Sequence, residues 1–201
     1  MITQALPALE GVVARLNAGG LAIDFGCGAG ARTVGMAEAF PGSTWHGYDT
    51  SAVALARAAQ NLAASGVPNV SFHDPAREPM PVDHSVDLVT IFDVAHDLAD
   101  PFSALRAAHA ALKADGTLVV SEIAQPEALE EKLLHPAAPM LYGFSLGICL
   151  QCGLSELGGV GLGALGLSEA VLRDLATRAG FTRFRRTDVA DPFNAYYELR
   201  P

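Results

Sequence analysis

The sequence predicts an α/β domain with a doubly wound sheet, mostly parallel and with an antiparallel C-terminal strand. Three observations carry that expectation. Short apolar runs alternate with helical patterns along the chain, the first run ends in a turn of three glycines, and the last two runs are joined too briefly for a crossover helix.

The elements follow in order. A helical pattern over Leu6–Asn17 leads into a buried strand that closes at Phe25. A helix to Phe40 and a strand over Ser43–Tyr48 come next. Ser51 caps a helix to Ser65, and Val70–Phe72 forms a third short strand. After a loop holding Pro75, Pro79 and Pro81, β-branched and aromatic residues crowd into a strand at Val86–Phe92. Pro101 opens a helix to about Lys113, with Asp115-Gly116 as its stop, and Thr117–Ile123 is the fifth strand. Ser168 caps a helix that runs to Ala179 and ends at Gly180. Strands Phe181–Val189 and Ala195–Leu199 then form a terminal hairpin that adds an antiparallel edge strand. Residues 124–167 break the rhythm with helix-like pieces and the glycine-rich stretch Gly158–Gly166. They lie at the ligand-bearing end of the sheet, where a long insertion is either a lid or a packing elaboration. The whole of 1–201 is read as a single domain.

The glycine turn is the most informative stretch. Asp24-Phe-Gly26-Cys-Gly28-Ala-Gly30 lies between a strand and a helix, where a backbone without Cβ atoms lets a nucleotide-like ligand approach. The dinucleotide fingerprint is G-x-G-x-x-G; here the third glycine comes one residue early and an acid precedes the first. That acid would repel a pyrophosphate but could receive a cationic amino-acid group, such as the ammonium of S-adenosylmethionine. Asp49 ends the second strand, where an acid takes ribose hydroxyls. Asp74 follows the third strand and could accept from an adenine amino group.

Composition narrows the classes. Half of the 201 residues are apolar, yet no stretch of 18 is uninterrupted, so a membrane span is not expected. The N-terminus lacks the basic start and apolar core of a signal peptide, and a cytoplasmic location is expected. The net charge of −9 repels a nucleic-acid backbone. Arg183, Arg185 and Arg186 read as a solvated strand edge. Cys149-Leu-Gln-Cys152 reads as core packing, with no further ligands beside it for a metal, and none is assigned.

The reactive constellation follows the fourth strand, in Asp93-Val-Ala-His96-Asp97. His96 stands beside the crevice and titrates near pH ~6.5, so it can take a proton at neutral pH. Glu122 ends the neighbouring strand and could orient the imidazole and stabilise its cation. His46, His73, His84, His109 and His135 are weaker candidates, since none combines a sheet-end position with an acid on the next strand.

Taken together, these residues resemble the class I S-adenosylmethionine-dependent methyltransferases, in particular the catalytic domain of plant-type and bacterial small-molecule O-methyltransferases. The likeness covers nearly the whole chain: the Asp24–Gly30 loop, Asp49, Asp74, His96-Asp97, the Glu122 strand, Ala179-Gly180-Phe181 and Phe193-Asn194-Ala-Tyr196. It implies a Rossmann-like fold, S-adenosyl-L-methionine as cofactor, and a small-molecule acceptor with a hydroxyl. It implies His96 as general base with Glu122 as its partner. The cofactor would be held by Asp24, Gly26, Gly28, Gly30, Asp49, Thr50, Asp74 and Asp93. The pattern differs at Leu98, Phe92 and Gly166, where the family has a tryptophan, a lysine and a glutamate. Relatives carry an N-terminal winged-helix domain, whereas only about twenty residues precede the glycine loop here, so a homodimer or a separate partner subunit is expected to close the pocket. No Asn/Asp-Pro-Pro-Tyr signature follows the fourth strand, and with the acidic charge this argues against nucleic-acid substrates. Two alternatives stay open: a cofactor-binding protein without turnover, and a C-methyltransferase in which His96, Asp97 and a histidine such as His135 hold a metal. An NAD-dependent oxidoreductase is disfavoured by Asp24 and the early third glycine.

Overall fold

The computed structural model describes residues 3–201. Seven strands are present among the described residues: β1 Leu21–Phe25, β2 Thr44–Tyr48, β3 Val70–His73, β4 Val86–Phe92, β5 Leu112–Ile123, β6 Arg183–Arg186 and β7 Asn194–Arg200. The helices are α1 Val12–Asn17, α2 Ala31–Ala39, α3 Ala52–Ser65, α4 Pro101–Ala111, α5 Leu129–Leu134, α6 Ala138–Phe144, α7 Leu150–Gly153 and α8 Glu169–Ala179. They form one sheet in the order β3-β2-β1-β4-β5-β7-β6. Strands β1 to β5 run parallel, as right-handed crossovers require. Strand β7 pairs antiparallel with both β5 and β6. The sheet is therefore Rossmann-like and mostly parallel, but the antiparallel strand is internal and β6 is the edge.

Strand alternation divides the core into two clusters, one on each face of the sheet. Leu88, Phe92 and Val119 pack with Trp45 against α1 and α2, while Val89, Ile91, Leu118 and Val120 pack against α4 and α8. Where sequence and structure differ, the cause is local. The expected helix over Leu6–Asn17 is broken: a 3-10 turn covers Leu6–Ala8, and α1 starts only after Gly11, at φ +70°. Helix α4 ends at Ala111 rather than near Lys113, because Leu112 is fully buried and already pairs with Val86. The register then jumps to Leu88 opposite Thr117, so Asp115-Gly116 sits in a bulge inside β5. The basic cluster is exposed on β6 as the sequence suggests, yet Arg185 Nε donates to buried Glu198 at 3.1 Å, and Arg200 Nε donates to the same carboxylate at 3.1 Å. Burial raises the Glu198 carboxyl, and the two guanidiniums outweigh it, holding the group below the usual range.

The caps of α3 and α8 form as the sequence predicts, with Ser51 Oγ accepting from Ala54 N and Ser168 Oγ from Val171 N. Beside the glycine turn, Asp24 is 3% exposed and accepts from Thr33 Oγ1 at 2.6 Å and Thr90 Oγ1 at 2.7 Å. One carboxyl thus joins β1, α2 and β4 under the turn. Between Leu134 and the start of α8, residues wind through α6, a π-helical turn at Ser145–Cys149 and α7. No helix among the described residues is long and apolar enough to cross a membrane.

Gly30 illustrates how tightly the turn is built: φ is +72°, and a Cβ would lie 2.3 Å from Phe72 Cζ. Gly30→Ala should cost about 2–4 kcal/mol, combining a left-handed alanine with overpacking. Gly66→Ala, at φ +70° with nothing within 4 Å, should cost only the conformational part, about 1–2 kcal/mol. Urea denaturation of both variants checks this; equal losses would mean that Phe72 swings away freely.

Candidate active site

The carboxyl ends of β1, β2 and β4 surround a cavity of about 490 Å³. Phe25, Gly26, Tyr48, Asp49, Thr50 and Val94 line its sheet side, and Pro75 adds a wall from the loop after β3. The 3-10 turn after β4 supplies Asp97 and Leu98, with Ala99 beside them. The insertion closes the opposite side with Gln151, Cys152, Ser155 and Glu156.

Asp49 is fixed by the backbone it caps. Its Oδ2 accepts from Gly28 N and its Oδ1 from Ser51 N, each at 2.8 Å. A carboxylate oxygen has a second lone pair, so both oxygens keep capacity toward the cavity. Gly26 and Thr50 border the same space. Other residues singled out from the sequence lie behind this wall. Both Asp24 oxygens are turned to Thr33 and Thr90, and burial raises its carboxyl above the usual range against those hydrogen bonds. Gly30 packs on Phe72. Asp74 caps its own turn, Oδ1 accepting from Ala76 N at 2.9 Å, while its neighbour Pro75 reaches the cavity. Asp93 adopts φ +57° and is directed to β7, its Oδ1 accepting from Asn194 Nδ2 at 2.8 Å. Burial raises the Asp93 carboxyl above the usual range.

His96 and Glu122 meet as the sequence suggests. His96 Nδ1 lies 2.5 Å from Glu122 Oε2, and the His96 backbone N–H donates to Glu122 Oε1 at 3.3 Å. The two residues are 5% and 1% exposed, so this contact is shielded from water. His96 Nε2 faces Asp97 Oδ1 at 3.3 Å. That oxygen is buried and has no hydrogen-bond partner among the described residues, although Asp97 lines the cavity. Burial disfavours the imidazolium, but the Glu122, Asp97 and Asp93 carboxylates outweigh it and raise the His96 pKa above its usual value. Burial likewise raises Glu122. Both directions have one cause: a buried pair carrying a net negative charge is costly, so the pair retains its proton.

Several residues of this site were not anticipated. Asp97 is named from the sequence as a candidate metal ligand beside His96, but its unpartnered oxygen is a product of the fold. Gln151, Cys152, Ser155 and Glu156 gave no periodic signal. The Cys149–Cys152 pair is split: Cys149 is buried, whereas Cys152 is exposed at the cavity wall. Ligand atoms of His96, Asp97 and Cys149 lie within 4.8 Å of one another. The Cys149 thiol is pushed up to about 11, by burial first and then by Asp97. His135, considered as a third metal ligand, instead lines a separate small cavity with Gln125 and Lys132.

Residues 16–141 match the family model of the methyltransferase domain. A search of curated proteins finds no match. Among solved structures, a candidate O-methyltransferase of Nostoc punctiforme is similar with a TM-score of 0.70 and 20% identity, over 98% of this chain and 56% of that one. An O-methyltransferase family protein of Burkholderia thailandensis is similar with a TM-score of 0.68 and 15% identity, over 92% and 52%. Human N-acetylserotonin methyltransferase, solved in complex with SAM, is similar with a TM-score of 0.67 and 21% identity, over 99% and 51%. The chain thus spans about half the length of these proteins, and at such identities the likeness is one of fold.

The raised His96 pKa has a defined sign in stability. The proton bound by the folded pair contributes fully below the unfolded imidazole value of ~6.5, and this contribution is lost as pH rises through the higher folded value. An NMR titration should place the His96 midpoint above ~6.5. Glu122→Gln should move it down by removing the adjacent charge, and an unmoved midpoint would contradict the pairing.

Proposed function

The chain belongs to the methyltransferase-domain family, and on that premise we propose that it transfers the methyl group of S-adenosylmethionine to a hydroxyl of a small molecule, with His96 as general base. The reading rests above all on the buried His96–Glu122 pair set against the cavity-lining Asp97.

The residues present suit the cofactor. Asp49 offers carboxylate lone pairs at the end of β2 for two hydroxyls, and Tyr48, Thr50 and Pro75 supply a partly apolar wall around it. A Cβ at Gly28 would meet nothing within 4 Å, so the glycine turn is open on that side. Asp24 and Gly30 shape the turn from behind, and Asp74 and Asp93 fix its flanking loops. When bound, S-adenosylmethionine supplies a methyl carbon made electrophilic by its sulfonium. The protein's own tasks are then to align the acceptor and to remove its proton. At a pH above its raised pKa, where the imidazole is neutral, His96 Nε2 takes that proton at the Asp97 side of the cavity. Glu122 keeps Nδ1 protonated, fixes the ring and stabilises the cation that forms. Once Nε2 carries that proton, the free Asp97 Oδ1 at 3.3 Å stabilises the imidazolium from the cavity side.

A second reading keeps the cofactor and replaces the base with a metal. His96, Asp97 and Cys149 would hold it, and it would polarise an enolate or hydroxyl oxygen as a Lewis acid. Cys149→Ser separates the two, since it should abolish metal-dependent turnover and leave base catalysis nearly intact.

Labelled donor incubated with a panel of phenols and small hydroxy acids tests the main reading. Methyl transfer should appear and fall about 10²–10⁴-fold in His96→Ala. Asp49→Ala should weaken S-adenosylhomocysteine by about 2–3 kcal/mol in calorimetry, through lost charge-assisted hydrogen bonds. Cofactor binding without any transfer would leave a binding protein.

We further propose that the described chain is one domain and that residues 136–165 form its lid. Gln151, Cys152, Ser155 and Glu156 already face the cavity, while Met140, Phe144, Leu146, Ile148, Leu154 and Leu157 are exposed on the same segment. Such an apolar surface suits a second copy or a partner subunit. Hydrogen exchange should show protection there when cofactor analogue and acceptor are added, and light scattering should report a dimer. A monomer with no exchange change in that window would reduce the segment to packing.

A further inference from the structure

Behind the cavity-lining Tyr48, the face of β2 and β3 carries a cluster of two histidines and a serine that the proposed reaction does not use. His46 on β2 stands in register with Ser71 on β3, and Tyr48 with His73. Because strand side chains alternate, His46, Tyr48, Ser71 and His73 share one face. His46 Nδ1 is 2.7 Å from Ser71 Oγ and 3.0 Å from His73 Nε2, and Ser71 Oγ is 2.8 Å from His73 Nε2. Three polar atoms thus form a closed triangle. The outer nitrogen of His73 is engaged elsewhere: Nδ1 lies 2.5 Å from Glu78 Oε2, and the ring stacks on Tyr48 at 5.1 Å.

Proton counting leaves one side of this triangle without a hydrogen. An imidazole nitrogen either donates one hydrogen or accepts with one lone pair; only the hydroxyl can do both. With Nδ1–H of His73 given to Glu78, its Nε2 is a bare acceptor. The Ser71 hydroxyl and His46 Nδ1 then offer at most two hydrogens for three contacts: His46 Nδ1–H donates to Ser71 Oγ and the hydroxyl donates to His73 Nε2, so the 3.0 Å pair of nitrogens has no hydrogen of its own. The alternative His46 tautomer sets two nitrogen lone pairs facing each other at 3.0 Å. A cation at the meeting point of the three lone pairs satisfies every contact at once.

We propose that His46 Nδ1, His73 Nε2 and Ser71 Oγ form a binding site for a divalent transition-metal ion, with water completing its shell. Imidazole ligands select the later first-row metals over magnesium or calcium. With metal–nitrogen bonds of about 2.0–2.1 Å, the 3.0 Å separation of the nitrogens subtends roughly 90°, the angle of square-planar or octahedral coordination rather than a tetrahedron. Copper(II) and nickel(II) therefore fit better than zinc. Glu78 supplies the carboxylate that a metal-bound histidine usually holds on its second nitrogen. His46, Ser71 and His73 are each partly exposed, so an ion has a way in. Bound there, it would clamp edge strand β3 to β2 three residues before Asp49, whose N–H already donates to the His73 carbonyl at 3.2 Å. The inference is independent of the proposed methyl transfer.

Calorimetric titration of the tag-free protein with copper(II) and nickel(II) tests it, with electron paramagnetic resonance of the copper form. One equivalent should bind, and the spectrum should show two coupled nitrogens. His46→Gln and His73→Gln should each weaken binding at least tenfold. Glu78→Gln, at a side chain 69% exposed and so harmless to folding, should weaken it about 10–100-fold. Cys149→Ser should change nothing. Absence of binding, a spectrum with fewer than two nitrogens, or binding lost in Cys149→Ser but kept in Glu78→Gln would each overturn the proposal.

Discussion

A single buried carboxyl organises the ligand-facing end of this sheet. Asp24 leaves β1 on the face that α2 covers, and its two oxygens take one hydroxyl from α2 and one from β4. An acid at 3% exposure is unfavourable unless its lone pairs are met, and two threonines meet them at 2.6 and 2.7 Å. Because strand and helix are tied at both ends of the turn between them, Gly26 to Gly30 have little freedom to rearrange. The turn in turn donates Gly28 N to Asp49, which sets the end of β2. The cavity wall is thus a chain of hydrogen bonds that begins inside the core.

The His96–Glu122 pair obeys the same constraint from the other side of the sheet. Glu122 lies on β5 between β4 and β7, at 1% exposure, with no water to carry its charge. The 3-10 turn after β4 brings both the His96 ring and the His96 N–H to it. Burial that would make an isolated acid or imidazole neutral makes the two together retain a proton. Their chemistry belongs to the pair, and the position of β4 against β5 is what creates it.

Much of this was legible in the sequence, for physical reasons that can be stated. Strands β1 to β5 are short apolar runs between capped helices, and Ser51, Ser168 and Gly180 act as written because capping depends only on neighbours in the chain. His96 and Glu122 could be paired because parallel strands end together, so residues at adjacent strand ends must meet. Asp24 shows the limit. Alternation gave its face, but whether that face met a ligand or Thr33 depended on packing that no local pattern encodes. The same holds for β7, whose antiparallel direction follows from a short connection, while its place between β5 and β6 depends on long-range pairing. The β2–β3 histidines carry no such signal, because His46 sits mid-strand and only the register brings it to His73.

The internal position of β7 also bears on how the chain is made. Strands leave the ribosome in sequence order, and β6 emerges before the strand that separates it from β5. Until residues 194–200 are synthesised, β5 presents an open hydrogen-bonding edge and β6 has no partner in the sheet. Exposed apolar strand edges invite association with other chains. Asn194, which ties Asp93 and Ser121, arrives in that same late strand. Translation of this protein therefore passes through an unfinished sheet, whose β5 edge stays open until residues 194–200 arrive.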